Sequence, residues 1–268
     1  MNSIKEAVAL GRNNLNEVTE VYVNKGRKAV AEYLNMSYNS VGHALQQLGL
    51  YNDDVKQEIL KRNREKEKSK NPFLVEDEMC AYLLGFILGD GSLRVKGESV
   101  NLDIYSNDRV LMEKLIKAFY NDKELSVRHY KNTYDGYYFD VYDRGVYSKL
   151  LEYGLNPRKS KEGCKLPRVS EANRCHLIRG LFDADGSVTS NHENGLRFYI
   201  YGHSSYMAEL KEIFPVPYKD CSTCNLDGIA IYNMSGIKEI YEYLYKDASI
   251  YLERKKRRFD SVFGTCSR

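Results

Sequence analysis

The 268-residue chain has no tryptophan. It has no apolar stretch long enough to span a bilayer, and no charged-then-apolar segment at its start of the kind that directs secretion. These absences point away from a membrane protein and from a secreted one. Six cysteines are scattered at 80, 164, 175, 221, 224 and 266, and only Cys221 and Cys224 are close. No second pair or histidine couple completes a zinc set, so the cysteines are expected to be reduced thiols of an intracellular protein. No Ser-His-Asp or Cys-His set and no phosphate-cradling glycine loop is visible. His43 and His203 lack a carboxylate or cysteine at ligand spacing, and are expected to be a surface contact and a strand-end residue. Net charge is small as well: 40 basic against 37 acidic groups, or +3, says little about a polyanionic partner.

The charge is nonetheless uneven. Residues 61–70 hold six basic and two acidic side chains, and 254–258 reads RKKRR. Two such runs flanking one core suit a phosphate-binding protein. The 23 tyrosines fit the same idea, because a tyrosine can pack a sheet and still offer its hydroxyl to a phosphate or base edge.

The most specific signal is a repeated motif. Residues 83–91 (LLGFILGDG) and 178–186 (IRGLFDADG) are apolar helical runs with small residues four apart, Gly85 with Gly89 and Gly180 with Ala184. Small residues at that spacing share one helix face and let two backbones approach closely. Each run ends in Asp-Gly, which puts Asp90 and Asp185 in the last helical turn with Gly91 and Gly186 as expected left-handed stops. A carboxylate is unfavourable at the negative end of a helix dipole, and two brought together repel further. The arrangement makes sense with a cation between them, hence a two-fold metal site at a helix seam.

At these residues the chain resembles the LAGLIDADG homing endonucleases, over roughly residues 74–263. The second motif departs from the family name by a few apolar or small changes and by Arg179, and the first has Leu88 where the sixth-position Asp would stand. The resemblance implies a monomeric, site-specific endonuclease that cuts both strands of double-stranded DNA across the minor groove and leaves short 3′ overhangs. It implies Mg²⁺, with Mn²⁺ as a substitute, held by Asp90 and Asp185 with help from the carbonyls of Gly89 and Ala184. It also implies basic side chains near the site, for which Lys159 and Lys255 are the candidates and Lys165 the runner-up. A non-cleaving regulator and an intron RNA maturase are the alternative uses of such a fold. An intein is disfavoured by Met1 and by the Cys266-Ser267-Arg268 end.

An internal repeat frames the motifs. Asp90 and Asp185 lie 95 positions apart, and each repeat closes with Arg-Lys, 158–159 and 254–255. The expected fold class is α+β: two pseudo-symmetric αββαββ(α) repeats, 73–166 and 167–268, with DNA-facing antiparallel sheets. Asp-Gly at 135–136 and 227–228 and Asn-Gly at 194–195 read as hairpin turns, and Ser106 and Ser204 as helix N-caps. Strand alternation sends Leu102, Ile104, Phe139, Val141, Leu196, Phe198, Ile200, Ile229 and Ile231 toward the helices. The opposite face carries Arg94, Lys96, Asn101, Asp103, Tyr105, Tyr138, Asp140, Tyr142, Arg197, Tyr199 and Tyr201, the candidate DNA-reading set.

Residues 1–52 stand outside the repeat. A helix over 27–34, a turn at Asn35-Met36-Ser37 and a helix over 38–48 resemble a helix-turn-helix module with Ser37 as cap and Ala31 at the crossing. Tyr38, Asn39, His43 and Gln47 lie on its outer side as further DNA contacts. The charged stretch 53–72 is then a linker, and a chain lacking residues 1–72 is expected to stay folded and active.

Overall fold

The computed structural model of the chain describes residues 1–66, 69–97, 99–130, 134–191, 195–223 and 225–264. Its residues fall into two compact units, Met1–Lys68 and Ser69–Arg268. Among the described residues, no helix is long and apolar enough to cross a membrane.

The first unit is helical. Helix α1 (Ile4–Asn13) starts at a reciprocal cap: the Ser3 hydroxyl accepts from the Glu6 amide and the Glu6 carboxylate accepts from the Ser3 amide. Helix α2 (Leu15–Tyr33) is broken by Gly26, whose φ of 78° suits only glycine comfortably. Asn35 makes the tight turn in the left-handed region, φ 48°. Helix α3 (Tyr38–Gln47) buries Val41, Ala44 and Leu45, and Ala31 is buried as the spacing predicts. Ser37 does not cap it by a side-chain bond to the backbone; its hydroxyl meets that of Ser40 at 3.1 Å. Tyr38, Asn39, His43 and Gln47 are all exposed. The charged stretch is helical as α4 (Asp53–Lys66). Side chains 60–68, most of the first basic run, lie outside the described residues.

The second unit holds the repeat. Its first half runs α5 (Glu78–Asp90), β1 (Ser92–Lys96), β2 (Ser99–Ser106), α6 (Arg109–Phe119), β3 (Ser126–Tyr130), β4 (Tyr134–Val141), α7 (Arg144–Glu152) and the single turn α8 (Lys159–Glu162). The second half runs α9 (Arg174–Asp185), β5 (Gly186–Asn191), β6 (Gly195–Gly202), α10 (Ser204–Ile213), β7 (Lys219–Ser222), β8 (Asp227–Ile231), α11 (Met234–Tyr245) and α12 (Glu253–Phe263). The sheets are both antiparallel and share one strand order, β1-β2-β4-β3 and β5-β6-β8-β7. This is the α+β architecture of two αββαββ repeats expected from the motif pair. The apolar strand residues named above are all buried, and the polar set lies on the other face.

Several local expectations are corrected. The Asp-Gly pairs do not make turns: Gly136 lies within β4 and Gly228 within β8. A Cβ at Gly136 would stand 2.4 Å from the Tyr105 ring, and one at Gly228 2.7 Å from the Tyr201 ring. Each glycine thus gives its sheet room for a neighbouring tyrosine to lie down. Asn194 lies outside the described residues. Asp108, not Ser106, caps α6 by accepting from the Leu111 amide. His203, not Ser204, caps α10, its Nδ1 accepting from the Ser205 amide. Residues 69–72 are no free linker, because the Lys70 amide donates to the Phe119 carbonyl and Ser69 bonds Asp143. Cys80, Cys164, Cys175 and Cys221 are free thiols, whereas Cys224 and Cys266 lie outside the described residues.

Candidate active site at the helix seam

Helices α5 and α9 are the heart of the second unit. Every residue from Cys80 to Leu88 is buried, as is every residue from Leu177 to Asp183. A helix apolar on all sides has to be enclosed. The two cross at their glycines: a Cβ on Gly85 would lie 2.0 Å from the Leu177 carbonyl oxygen, and one on Gly180 2.0 Å from that of Tyr82. At Gly89 it would lie 2.4 Å from the Ala184 methyl and 2.9 Å from the Asp185 carboxylate. The small residues therefore bring the two helix ends, and with them Asp90 and Asp185, together. Gly91 and Gly186 are not left-handed stops; both are extended, with φ of -75° and -85°. Their lack of a side chain serves contact instead, since a Cβ would strike Ile87 or Phe182 one turn back.

Both aspartates remain open to solvent on one side while protein crowds the other. That partial burial, then Asp185, pushes the Asp90 carboxyl up to about 6, against the pull of Lys255, Lys159 and Arg254. Asp185 is raised too, chiefly by burial. A cleft of about 460 Å³ opens beside Asp185, lined by Gly89, Lys159, Tyr201, His203 and Tyr206 among others.

Each motif helix ends on a lysine. Lys159 Nζ donates to the carbonyls of Leu88 and Gly89, both at 2.5 Å. Lys255 Nζ donates to those of Phe182 (2.5 Å), Asp183 (2.8 Å) and Gly186 (2.6 Å). Terminal carbonyls carry the negative end of the helix dipole, so an ammonium there is well placed. Burial lowers both lysines, Lys255 to about 8. The second basic run is thus split. Lys255 is 4% exposed and Lys256 is half-buried against Asp260, whereas Arg254, Arg257 (paired with Glu253) and Arg258 (donating to the Val188 carbonyl) are exposed. Lys165 is not at the seam; it lines a separate cleft with Lys149, Tyr153 and Arg168.

Two residues of the second motif do work that sequence reasoning did not assign. Arg179 is wholly buried, donating to the Ile250 and Leu244 carbonyls and to Glu78 of α5. Glu78 also accepts from the Ser249 amide and hydroxyl. Asp183 Oδ2 accepts from the Tyr82 hydroxyl (2.8 Å) and the Leu252 amide (2.7 Å), and Oδ1 has no hydrogen-bond partner. Leu252 is the cap residue of α12. Asp183 therefore ties α9 to α5 and to the start of the helix that delivers Lys255. The signal available was two charged residues inside the second apolar run, since a charge in that position needs a buried partner.

Across the sheets, Arg94 and Lys96 are exposed, as are Tyr142 and Arg197; Asn101, Asp103, Tyr105, Tyr138, Asp140, Tyr199 and Tyr201 are half-buried. The first sheet's face is charged, with Asp103 directly opposite Asp140. The second is aromatic, with Tyr199 and Tyr201 stacked at 6.0 Å and Tyr232 edge-on to Tyr199 at 5.8 Å.

No family model and no curated protein matches the sequence. Solved structures do resemble the fold. The homing endonuclease I-WcaI bound to its DNA recognition sequence is 13% identical, with 75% of this chain and 91% of that one covered and a TM-score of 0.49. The N-terminal LAGLIDADG domain of DUF199/WhiA is 18% identical over 73% and 94%, TM-score 0.43. I-DmoI in complex with DNA and Mn is 18% identical over 64% and 98%, TM-score 0.42.

Proposed function

We propose that this chain is a LAGLIDADG endonuclease that binds a specific double-stranded DNA site and hydrolyses one phosphodiester per strand with a divalent metal. The observation that supports this is the pair of helix-end carboxylates, Asp90 and Asp185, brought together by a seam with no room for a side chain at Gly85 or Gly180.

Among the described residues, no group of three or more His, Cys, Asp or Glu side chains is placed to hold a metal. Two carboxylates whose pKa values are both raised are nevertheless a fitting donor set for a hard cation that keeps most of its waters, Mg²⁺ or Mn²⁺. Asp90 and Asp185 would hold it, with the Ala184 carbonyl; the Gly89 carbonyl already accepts from Lys159. Bound there, such an ion lowers the pKa of its water and offsets phosphate charge.

The lysines divide the remaining work. An ammonium has three donors. Lys255 spends three on carbonyls, so it holds its helix end and lends positive potential. Lys159 spends two and lines the cleft, which leaves one N–H to meet a phosphate oxygen. The polar sheet faces provide the groove contacts, and α3 a second reading element through Tyr38, Asn39, His43 and Gln47. One chain with an internal pseudo-two-fold then serves both strands as a monomer.

The test is cleavage of a random-site duplex library by the full chain in Mg²⁺, with the cut ends sequenced. Double-strand breaks with 3′ overhangs are expected. Asp90→Asn and Asp185→Asn should each abolish double-strand cutting while leaving affinity intact or improved, because affinity comes from phosphate and groove contacts. Cutting by the doubly substituted protein would show that the site is elsewhere, and wild-type binding with no cutting in Mg²⁺ or Mn²⁺ would leave a regulator.

A further inference from the structure

The first sheet carries a side-chain network that the cleavage chemistry does not use. Arg94 of β1 donates through Nε (2.6 Å) and Nη2 to a single oxygen, Asp103 Oδ2 of β2. The other oxygen, Oδ1, accepts from Asn101 Nδ2 at 2.8 Å. Arg94 faces Asn101 across the strand pair, and Asp103 is the next residue on that face. The Arg94 side chain is 66% exposed and that of Asp103 only 20%.

A guanidinium has two edges that can make paired hydrogen bonds. Asp103 occupies the Nε–Nη2 edge, which leaves the Nη1–Nη2 edge of a largely exposed side chain to meet a partner. Paired donors on that edge match the O6 and N7 acceptors that guanine presents in the major groove. A phosphate would also fit a bare arginine, but this one is poorly placed for it. Asp103 and Asp140 stand directly opposite each other beside it, with Lys123 3.9 Å from Asp140 as partial offset. Two carboxylates repel a phosphate far more than an uncharged base edge. Asp103 itself has both oxygens engaged within the sheet, with its side chain only 20% exposed. The second sheet lacks the device: there Arg197 faces Thr189, and Tyr199 takes the place of the carboxylate.

Resting on the DNA-binding reading above, we infer that Arg94 reads a guanine in the half-site facing the first sheet, and that Asp103 is the positioning residue that aims it. An exposed cross-strand ion pair kept only for stability would leave base preference alone.

The experiment selects bound duplexes from a randomised library with the full chain in metal-free buffer and sequences them. Wild type should show one strongly guanine-preferring position in one half-site. Arg94→Gln alters only an exposed side chain and replaces a guanine-pairing group with one whose amide pairs with adenine; it should lower that preference by about 5- to 150-fold, the range of one paired contact, with the preferences at other positions unchanged. Asp103→Asn should weaken the same position and no other, without loss of overall affinity, since it removes a negative charge. Guanine preference retained in full by Arg94→Gln would overturn the assignment and make Arg94 a phosphate contact. Preference retained by Asp103→Asn would overturn the positioning role. No enrichment by wild type would overturn the DNA-binding reading itself, an outcome distinct from both.

Discussion

Leu88 and Asp183 occupy corresponding places, two residues before the motif aspartates, yet they build different neighbourhoods. Leu88 is buried and contributes only its carbonyl, which accepts from Lys159. Asp183 is buried as a carboxylate that gathers Tyr82, the start of α12 and, through its carbonyl, Lys255. The lysines differ in how they are delivered. Lys159 follows Arg158, which sits in the left-handed region at φ 64°, and begins a single turn. Lys255 lies inside the eleven-residue helix α12. The lesson is that one topology repeated twice has kept its backbone symmetry and let the chemistry around each carboxylate diverge. The first half is open and charged; the second is enclosed and aromatic.

The seam is what the halves still share, so breaking it should have the largest effect. At Gly180 even a methyl group would meet the Tyr82 carbonyl oxygen at 2.0 Å, and that atom is backbone. Gly180→Ala should therefore resemble Gly180→Val instead of being the mild variant that propensity alone suggests. Overpacking costs about 1–3 kcal/mol, or roughly 2–4 °C of melting temperature per kcal/mol in a unit of this size. Displacing the carboxylates by about 1 Å should cost on the order of 100-fold in cleavage of both strands. Gly85→Ala should do the same. If either alanine variant cuts both strands at the wild-type rate, the seam does not set the carboxylate spacing.

The paired motifs, the succession of helices and hairpins and the buried strand faces were legible because each leaves a periodic trace in the sequence. What was not legible came from contacts between distant segments. The repeat places Lys255 near the site but does not show its burial: it sits in a run of five basic residues, and only its bonds to the Phe182, Asp183 and Gly186 carbonyls turn it inward. Asp183 reads as a missing counterpart of Leu88 until Leu252 and Tyr82 arrive from 69 residues ahead and 101 residues back. Gly136 and Gly228 follow aspartates, a local turn signal that lost to the space required by tyrosines on a neighbouring strand.

Making the halves more alike should cost less in cleavage rate, and on one strand only. Asp183→Leu copies the first motif and strips the Tyr82 hydroxyl and Leu252 amide of their acceptor. Each orphaned buried donor costs about 1–3 kcal/mol. With α12 loosened, nicking should slow by about tenfold, equivalent to roughly 1.4 kcal/mol of lost positioning. The slowed strand should be the one whose cleavage Asp185→Asn abolishes, read on strand-labelled duplexes. Equal slowing of both strands would make Asp183 merely structural.

A smaller effect separates the halves by pH. Asp90 and Asp183 titrate near 6 when folded, above the ordinary 3.8. Between those values the folded chain holds protons that the unfolded chain has released, so stability should fall as pH rises from about 4 to 6. Lys255, lowered from 10.5 to about 8, acts in the other direction: the unfolded chain is the more protonated there, and stability should recover from about 8 upward. Melting temperature across pH should therefore dip near neutrality in metal-free buffer. Asp90→Asn should remove only part of the acid limb, since Asp183 and Asp185 of the second half, both raised, carry the rest. Mg²⁺ should fill the dip more at pH 7 than at pH 5, because it binds the ionised carboxylates. A profile flat from 4 to 6 would mean that neither carboxyl is perturbed.

The smallest effect concerns the two sheet faces. Lys96 is exposed at the end of β1, on the charged face, and a phosphate contact there should be a counterion-release contact. Lys96→Ala should weaken binding uniformly across sequences and reduce the salt slope by about one. Tyr201 lies on the aromatic face, stacked on Tyr199 and flat over Gly228, its hydroxyl pushed up to about 12 by burial and by Cys221. Tyr201→Phe keeps the ring and the packing and removes one hydroxyl, worth about 0.5–1.5 kcal/mol at most. Its salt slope should match wild type, because no charge is lost. The comparison is sharpest in the slopes: Lys96 carries a charge and Tyr201 does not, so only Lys96→Ala should change the slope. Equal loss of slope from both substitutions would mean that Tyr201 holds a charged side chain or a phosphate in place, and the two faces would then be electrostatically alike.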